Sequence, residues 1–474
     1  MPLSADYRPD PRLPILGDDF ADPVRAAEFP SLRLRWRNDR AAATVGLAAL
    51  TNAEWTDHFG RFAPLADNLP GPLAQRYHGH QFRVYNPEIG DGRGFTFAQL
   101  REAGTGRLLD LATKGSGVTP WSRSGDGRLT LKGGVREVLA AGMLEALGVP
   151  TSRAFSLIET GESLVRQDEP SPTRAAVLVR LSHSHIRYGT FQRPAALERP
   201  DLVRKLLHYT LDLYFPHRAG EADPGAALLQ EACVGAARMT AAWMAAGFVH
   251  GVLNTDNMNI TGESFDYGPY RFLPHNDPNF VAAYFDHAGL YSFGRQPEAV
   301  FWNLRQLAGC LLMAGVTEGS LVEVLNGFGD LYREALAAAM LRRLGLAPRG
   351  DESDARLVSA AFRALAAGGP EIRWEPFFFD WFCGDDARAL QGARGAVYRR
   401  AEFDDFRREM AAAVPERPER LKAPFFAGES PVELLIDRIE AVWARIAADD
   451  DWTAFDALAA EIETARQAWD FQPA

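Results

Sequence analysis

The sequence predicts an α+β protein whose first half is rich in strands and whose second half is rich in helices. Two strand-like runs within residues 95–114 flank a Gly-containing turn at 103–106, which is the pattern of a β-hairpin. Beyond about residue 195, apolar residues recur at helical spacing over long stretches at 200–215, 225–246 and 297–347. Strands that precede helices in this way are typical of the α+β class.

The elements of the first half each have their own signal. Residues 1–75 mix Pro-rich and apolar stretches without a chemical motif, and we expect an extension that packs on the strands after it. A helix is predicted over 133–147, where apolar residues fall every four positions and a Gly and Pro stop signal comes next. Further strands are predicted at 155–164 and 176–181, with a turn at 159–162 interrupting the first of them.

The second half contains one irregular, polar segment between its helices. This segment, 248–272, comes directly after Gly247, a residue type that commonly ends a helix. From about residue 350 onward the chain is charged, alanine-rich and helical, and its Asp run at 449–451 is expected to be a solvated turn rather than a metal site. The predicted division is an N-terminal extension (1–75), a strand-rich part (76–195), a helical part (196–350) and a helical C-terminal extension (351–474).

Composition and charge exclude several classes of protein. The chain has 474 residues, 47% of them hydrophobic and 24% charged, which is enough apolar mass for a large folded core. Its 51 basic and 62 acidic side chains leave a net charge of -11, so we expect no nucleic acid and no membrane among its partners. No apolar run approaches the ~20 residues of a membrane-spanning helix. The opening stretch MPLSADYRPDPRLP resembles no targeting peptide, so a cytoplasmic location is expected.

The cysteines and the paired histidines are predicted to be structural. Cys233, Cys310 and Cys383 are far apart and form no Cys-x-x-Cys pair, so neither a disulfide framework nor a thiolate zinc site is indicated. The His-x-His pairs at 78–80 and 183–185 lack Cys or acidic partners at ligand spacing, which disfavours a transition-metal site.

Several motifs succeed one another in the order found in protein kinases. A Gly-rich element precedes a strand that ends at Lys114, a helix carries Glu137, a polar loop contains His250 and Asn257, and an Asp-Tyr-Gly triplet begins at Asp266. Protein kinases arrange a phosphate loop, a strand lysine, a helix glutamate, a catalytic loop and a metal aspartate in this order. The sequence therefore predicts a protein-kinase-like two-lobed fold, with the strand-rich part as N-lobe and the helical part as C-lobe.

The residues in these motifs have physical reasons to surround a nucleotide. A triphosphate carries several negative charges, and the ammonium of Lys114 is useful there if a carboxylate such as Glu137 holds and balances it. Magnesium prefers oxygen ligands, which Asn257 and Asp266 provide. The sequence thus predicts a site for a nucleoside triphosphate and a divalent metal.

The predicted catalytic loop departs from the kinase pattern at the position of the base. Counting forward from His250 or back from Asn257, the base aspartate of a kinase falls at Val252. A valine cannot accept a proton. A carboxylate stands instead at Asp256, for which two interpretations remain open: an alternative general base or a turn-stabilising residue.

Two Gly-Asp-Gly-Arg tetrapeptides, at 90–93 and 125–128, flank the predicted strand lysine. Glycines allow backbone N–H groups to approach a phosphate, and arginine adds planar, bidentate anion binding. Arg180 and Arg187, in the next strand and loop, could reach the same phosphates. The alternative interpretation is two ordinary surface turns, because Asp-Gly is a common turn signal.

Five stretches closely resemble the signature blocks of the selenoprotein O family. They are YHGHQFRVYNPEIGDGRG, KGSGVTPWSRSGDGR, VREVLAAGMLEALGVPTSR, HSHIRYGTF and HGVLNTDNMNITGESFDYGPY, within residues 77–295. The resemblance implies a kinase-like fold in which ATP lies flipped relative to ordinary kinases. It implies transfer of AMP to Ser, Thr or Tyr of target proteins and, as in some bacterial members, transfer of UMP with manganese.

The resemblance also implies roles for individual residues. Asp256 is implied as proton acceptor, Asn257 as metal ligand, and Asp266 as ligand to nucleotide and metal, the metal being Mg²⁺ or Mn²⁺. Glu137 belongs to the same nucleotide site as the partner of Lys114. Nucleotide contacts are implied for Gly90, Gly92, Arg93, Lys114, Asp126, Gly127, Arg180 and Arg187.

The chain departs from the family pattern at several positions. Relatives usually have Gly where this chain has Arg83, and small or serine residues where it has Gly133 and Gly134. Many relatives carry a cysteine shortly after the metal-binding strand and a cysteine or selenocysteine near the C terminus, associated with redox control. The matching stretches here, NDPNFVAAYFDHAG and AWDFQPA, contain no cysteine, so little redox regulation is expected.

The leading hypothesis is therefore a protein adenylyltransferase that uses ATP. One rival is a kinase acting on a protein or small molecule, which Val252 disfavours. The other is a catalytically silent nucleotide-binding scaffold, which is disfavoured because the lysine, glutamate, asparagine and aspartate of the kinase order are all present.

Overall fold

The structure, a computed structural model, describes residues 4–167 and 169–471 and has the predicted α+β class. Its strands are β1 (Ala21–Pro23), β2 (Arg33–Arg37), β3 (Leu73–Gln75), β4 (Gly79–Gln81), β5 (Val84–Asn86), β6 (Thr96–Arg101), β7 (Leu108–Lys114), β8 (Leu129–Thr130), β9 (Arg153–Leu164), β10 (Thr173–Ser182), β11 (Phe248–Val249) and β12 (Arg271–Phe272). Its helices are α1 (Asp39–Ala43), α2 (Asn52–Phe59), α3 (Leu131–Ala146), α4 (Tyr188–Ala196), α5 (Pro200–Tyr214), α6 (Pro224–Ala245), α7 (Gln296–Leu312), α8 (Glu318–Asn326), α9 (Phe328–Leu344), α10 (Asp351–Gly368), α11 (Trp374–Asp380), α12 (Asp386–Gln391), α13 (Gly395–Tyr398), α14 (Asp404–Ala411), α15 (Ile436–Asp449) and α16 (Thr453–Trp469).

Most of the strands form one antiparallel sheet. Its order is β1-β3-β6-β7-β10-β9-β2, and β8 also pairs with β10. The predicted hairpin is β6 with β7, in register through Leu100 and Leu109. Strand β10 pairs with the other side of β7 and places Leu178 opposite Lys114. Both edge strands, β1 and β2, come from the N-terminal extension, which therefore completes the sheet rather than only packing on it.

Strand β9 is longer than the sequence indicates. The predicted turn at 159–162 is wrong, because β9 continues from Arg153 to Leu164. The pairing of β9 with β10 shifts register between Arg174 and Ala176. A β-bulge bends a strand without ending it. The residues of β9 that resemble a turn in the sequence are the extra residues of this bulge.

Helix α3 lies against the sheet and carries Glu137. It begins at Leu131 rather than at 133, because the Thr130 side chain caps it by accepting a hydrogen bond from the Gly133 N–H at 3.1 Å. Its apolar face packs on β9 and β10, and α16 covers another side of the helix. Helix α3 is therefore held between the sheet and the C-terminal part of the chain.

The irregular segment after α6 forms a loop closed by a short strand pair. Strands β11 and β12 pair through Phe248 and Phe272, so the polar residues between them form one compact loop. The long helical run predicted at 297–347 is divided into α7, α8 and α9. Three predicted features, the helical second half, the irregular segment and its position between two helices, are thus confirmed.

Helices α15 and α16 return to the strand-rich part of the molecule. Lys132 Nζ on α3 lies 2.7 Å from Glu440 Oε2 on α15. Between the two helices, Asp450 Oδ1 lies 2.7 Å from nitrogen atoms of Arg35 and of Arg174. The Asp run is therefore an ion-pair site at the surface of the sheet and not merely a solvated turn.

The cysteines Cys233, Cys310 and Cys383 are buried and free, as predicted. In the described part of the chain, the helices include none that combines the length and the apolar character needed to cross a membrane.

Candidate active site

A cavity of about 630 Å³ opens between the sheet and the loop that β11 and β12 close. Of the predicted site residues, Glu137 lies behind Lys114, with which it forms an ion pair, and Asn257 comes directly after Asp256 in the loop. The other predicted residues line the cavity: Gly90, Gly92, Arg93, Lys114, Asp126, Gly127, Arg180, Arg187, Asp256 and Asp266.

A buried cluster of charges forms one wall of the cavity. The ammonium of Lys114 forms ion pairs with both Glu137 and Asp266. Arg180 Nη1 lies 3.4 Å from Asp266 Oδ1 and 3.8 Å from Glu137 Oε2. Burial alone would raise the pKa of Asp266, but the charges of Lys114, Arg180 and Arg93 outweigh burial and hold that pKa well below its usual value. Asp266 is therefore an anion in this site.

His250 fixes the residue that precedes Asp266. Its ring is fully buried, and its Nε2 lies 2.9 Å from the backbone oxygen of Phe265. Burial lowers the pKa of His250, so the ring is neutral and donates Nε2–H to that carbonyl. Asp266 itself has a φ of 67°, a left-handed conformation that is uncommon for residues other than glycine. A buried anchor on one side thus holds Asp266 in a strained conformation.

Asp256 has an unusual environment at the edge of the cavity. Its Oδ1 is buried and has no hydrogen-bond partner among the described residues. The nearby Gly79 leaves room for this oxygen, since a Cβ at that position would lie 2.9 Å from it. Burial raises the pKa of Asp256 to about 6, against the opposing charge of Arg187. A carboxylate with such a pKa can accept a proton near neutral pH.

Arg187 connects Asp256 to the first Gly-Asp-Gly-Arg loop. Its Nη1 donates to the backbone oxygen of Asp256 at 2.8 Å, and its Nη2 lies 3.2 Å from Asp91 Oδ1. The guanidinium lies 4.5 Å from the ring centre of Tyr77 and 4.9 Å from that of Phe265. Two aromatic rings and two hydrogen bonds therefore hold one charged group facing the cavity.

The two Gly-Asp-Gly-Arg loops are connected through the segment that precedes the second one. Thr119 Oγ1 donates to the backbone oxygen of Asp91 at 2.6 Å, and the Ser122 hydroxyl donates to the backbone oxygen of Gly92. The Trp121 ring packs directly on Gly90, where a Cβ would lie only 2.5 Å from the ring. Glycine is thus required at position 90, and both loops line one cavity rather than forming separate surface turns.

Asp126, in the second loop, is engaged by a residue that the sequence does not single out. Arg166 Nη1 lies 2.8 Å from Asp126 Oδ2, and its Nη2 donates to Oδ1 at 3.0 Å. The Arg128 N–H also donates to Asp126 Oδ1 at 3.0 Å. The carboxylate is therefore occupied by protein donors in this conformation, and Arg166 lines the cavity beside it.

Asn257 and Asp266 offer oxygen atoms of the type that Mg²⁺ and Mn²⁺ prefer. The Asn257 amide donates Nδ2–H to the backbone oxygen of Val252 at 3.0 Å, which leaves its Oδ1 available as a ligand. Within residues 4–167 and 169–471, there is no group of three or more His, Cys, Asp or Glu side chains that could hold a metal ion. Mg²⁺ commonly needs only one or two such protein ligands when phosphate oxygens complete its shell.

Three of the four paired histidines have polar protein groups close to their rings. His78 Nδ1 lies 2.7 Å from the Tyr85 hydroxyl, and His80 Nδ1 lies 2.7 Å from Gln192 Nε2. His185 Nδ1 lies 3.4 Å from a carboxylate oxygen of Asp110. These contacts agree with the prediction that the histidines are structural.

Sequence reasoning missed several residues of the cavity wall, among them Tyr77, Asp91, Trp121 and Arg166. Asp91 lies inside the first Gly-Asp-Gly-Arg tetrapeptide, whose glycines and arginine were predicted to bind phosphate. The motif therefore marked this position, but no role was predicted for the aspartate itself. Tyr77 and Trp121 lie in the stretches that carry the family resemblance. Arg166 lies outside those stretches, in the connection between β9 and β10, and no local pattern marks it.

Comparisons with known proteins identify the family to which this chain is similar. The sequence model of a family described as "Protein adenylyltransferase SelO" matches residues 3–463. A "Protein nucleotidyltransferase YdiU" of Gloeobacter violaceus is 45% identical over 469 residues, covering 96% of this chain and 94% of the relative. A protein of the same name from a Synechocystis species is 43% identical over 482 residues, covering 96% and 98%. One from Cereibacter sphaeroides is 39% identical over 349 residues, covering 72% and 71%.

These matches confirm the family and the nucleotidyltransferase class that were predicted from the sequence. The family model matches nearly the whole chain, and the matched range 3–463 contains both Gly-Asp-Gly-Arg loops and the loop between β11 and β12. The chain therefore belongs to the SelO family of protein adenylyltransferases.

Proposed function

We propose that this chain transfers AMP from ATP to Ser, Thr or Tyr hydroxyls of target proteins, within a protein-kinase-like two-lobed fold. In this proposal 76–195 is the N-lobe and 196–350 the C-lobe, with 1–75 and 351–474 as extensions. The observation that carries the proposal is Asp256, a half-buried carboxylate in the wall of a cavity lined by cations, while Val252 occupies the position of the kinase base.

The cations of the cavity support binding of a triphosphate. Lys114, Arg93, Arg180 and Arg187 all line it, and the backbone of Gly90, Gly92 and Gly127 approaches the same space. Each guanidinium group can bind two oxygen atoms of a phosphate. A wall with several such groups therefore suits several phosphates rather than one. In the proposed arrangement Glu137 holds Lys114 in place, and Asp126 contacts the nucleotide after release from Arg166.

Asn257 and Asp266 are the proposed metal ligands. Mg²⁺ or Mn²⁺, when bound, neutralises phosphate charge and polarises the phosphorus–oxygen bonds. Asn257 is fixed by its hydrogen bond to Val252, and Asp266 is held by Lys114 and by the His250 anchor. Both oxygen donors are thus positioned before any ligand arrives.

The proposed reaction is attack of a protein hydroxyl on the α-phosphorus. A bond forms between the hydroxyl oxygen and the α-phosphorus, the bond to the bridging oxygen breaks, and pyrophosphate leaves. Asp256 accepts the hydroxyl proton, for which its raised pKa is suited. The cationic wall stabilises the charge that develops on the phosphates during this step.

The test is to follow the α-phosphate and the γ-phosphate of ATP separately. The protein is incubated with metal and a model protein substrate, in parallel with ATP labelled at the α or at the γ position. We expect incorporation of the α label alone, lost in Asp256→Asn and in Asp266→Ala. Incorporation of the γ label alone would identify a kinase, and no incorporation from either with intact ATP binding would identify a scaffold. Labelled UTP in a further reaction establishes whether UMP is transferred as well.

A further inference from the structure

We propose that Thr255 and Gln192 are positioning residues that hold the turn carrying Asp256 in its reactive orientation. The inference rests on the proposed role of Asp256 as proton acceptor. It concerns residues that do not contact the cavity themselves and that the nucleotide site described above does not include.

The Thr255 hydroxyl is fully used in hydrogen bonding. It accepts from the backbone N–H of His80 at 2.7 Å and donates to Gln192 Oε1 at 2.6 Å. Both side chains are buried, with Thr255 0% and Gln192 4% exposed. Gln192 in turn donates from Nε2 to His80 Nδ1, 2.7 Å away. Thr255, Gln192 and His80 therefore form a closed ring of hydrogen bonds, in which Thr255 and Gln192 are buried and His80 is half-buried.

This ring connects three elements of the structure. Thr255 belongs to the turn Thr255–Asn257, Gln192 to α4, and His80 to β4. The next residue along the chain from Thr255 is Asp256, whose Oδ1 is unpartnered among the described residues. Gln81 of β4 also contacts this carboxyl through a hydrogen bond. The position of the carboxylate depends in addition on its backbone, and that backbone is tied at Thr255.

Two further hydrogen bonds, to the side chain of Asn254, also hold the turn that carries Asp256. The Oδ1 of Asn254 accepts from the backbone N–H of Phe82 at 3.0 Å and from the Tyr291 hydroxyl at 2.9 Å. The hairpin of β4 and β5 thus holds both residues that precede Asp256. A group that is held in this way before substrate binds needs no reorganisation at the moment of reaction.

The experiment uses full-length protein and ATP labelled at the α position, with three variants. Thr255→Val keeps the shape of the side chain but removes both hydrogen bonds, and Thr255→Ser retains them. The control is Thr240→Val, because Thr240 is equally buried but its hydroxyl donates only to Ala236 of its own helix, at 2.7 Å. For each variant, kcat, the KM for ATP, the affinity for ATP by calorimetry and the melting temperature are measured.

We expect kcat of Thr255→Val to fall at least tenfold, with the KM for ATP and the ATP affinity within twofold of the wild type. Thr255→Ser should recover most of kcat, and Thr240→Val should lower the melting temperature without a comparable loss of kcat. The proposal is overturned if Thr255→Val retains kcat, or if Thr255→Ser loses as much as Thr255→Val.

A fourth variant, Gln192→Leu, decides the outcome if Thr255→Val does not fold. Gln192→Leu removes the acceptor of the Thr255 hydroxyl from α4, and we expect it to lower kcat while the ATP affinity stays within twofold. Unchanged kcat in a folded Gln192→Leu protein would refute the positioning role. Absence of α label in the wild type itself would instead refute the proposed function, so the two failures are distinguishable.

Discussion

The guanidinium of Arg187 donates to the backbone carbonyl of Asp256 at 2.8 Å. The same group lies 3.2 Å from Asp91, in the first Gly-Asp-Gly-Arg loop. One side chain thus spans the distance between the loop proposed to bind phosphate and the turn that carries the proposed proton acceptor. Loss of this link should affect nucleotide binding and proton transfer together.

Arg187→Lys tests that link. Lysine keeps the charge but cannot make both hydrogen bonds while lying between two aromatic rings. We expect the affinity for ATP with Mg²⁺ to fall roughly 10- to 100-fold, since hydrogen bonds to charged groups contribute about 1.5–3 kcal/mol. Isothermal calorimetry measures the change. Arg400→Lys, in an exposed pair with Glu371, is the control and should leave the affinity unchanged. Wild-type affinity in Arg187→Lys would contradict the assignment.

Asp266→Ala should abolish metal-dependent nucleotide binding. The substitution removes a proposed metal ligand and leaves the ammonium of Lys114 with one carboxylate partner instead of two. Calorimetric titrations with ATP, with and without Mg²⁺, provide the measurement. The exposed Asp330 serves as a matched position, because Asp330→Ala removes the same functional group from a residue that does not line the cavity. The assignment fails if Asp266→Ala binds ATP with unchanged dependence on metal.

Glu137→Gln should destabilise the folded protein. The predicted contact between Lys114 and Glu137 is present, and removal of the carboxylate leaves Lys114 and Arg180 with only Asp266 as counter-charge. Breaking a buried ion pair on one side costs about 3–5 kcal/mol, which urea unfolding can detect. The double variant with Lys114→Met should lose less than the sum of the two single changes. Additive losses would mean that the two side chains do not interact.

Glu263 should make stability depend on pH. Burial raises its pKa from an ordinary 4.5 to about 7, against the opposing charge of Arg153 and a hydrogen bond from the His183 N–H. The folded protein therefore binds a proton more tightly than the unfolded chain, so the stabilising contribution is complete below pH 4.5 and is lost as the pH rises through 7. Relative to Glu263→Gln, the free energy of unfolding of the wild type should fall by up to about 3 kcal/mol between pH 4.5 and 8. Parallel pH profiles for the two proteins would show that this carboxyl does not titrate as described.

Redox conditions should have little effect on activity. Burial raises the pKa of Cys233 and Cys310 to about 12, so neither thiol supplies the thiolate that oxidation requires. Transfer of the α label should be the same with and without dithiothreitol. A strong response to dithiothreitol that disappears when all three cysteines are replaced by alanine would show that a thiol regulates the enzyme.

Much of the candidate site could be predicted because its residues lie in short segments with a known order. Lys114 ends a strand of the predicted hairpin, and Glu137 lies on a helix whose apolar period is regular. Val252 could be identified as the residue at the position of the kinase base by counting from His250 and from Asn257. Local sequence patterns were sufficient to predict a functional residue wherever that residue lay within a single strand, helix or loop.

Other features depend on contacts between distant parts of the chain. The edge strands β1 and β2 are too short to show periodicity, so they were expected only as part of an extension. Arg166 lies in the connection between β9 and β10, and it pairs with Asp126 in the connection between β7 and β8. Asp450, which is distant in the sequence, pairs with Arg35 and Arg174. Such pairs arise from the tertiary structure, because nothing in the spacing of residues along the chain specifies them.

The packing of α16 on α3 joins two segments that are far apart in the sequence. Helix α3 holds Glu137 behind Lys114, and residues 453–469 cover another side of this helix. Contacts between distant segments form late in folding, because the long stretch of chain between them must first close into a loop. The support behind Lys114 is therefore completed only when these two parts of the chain have come together.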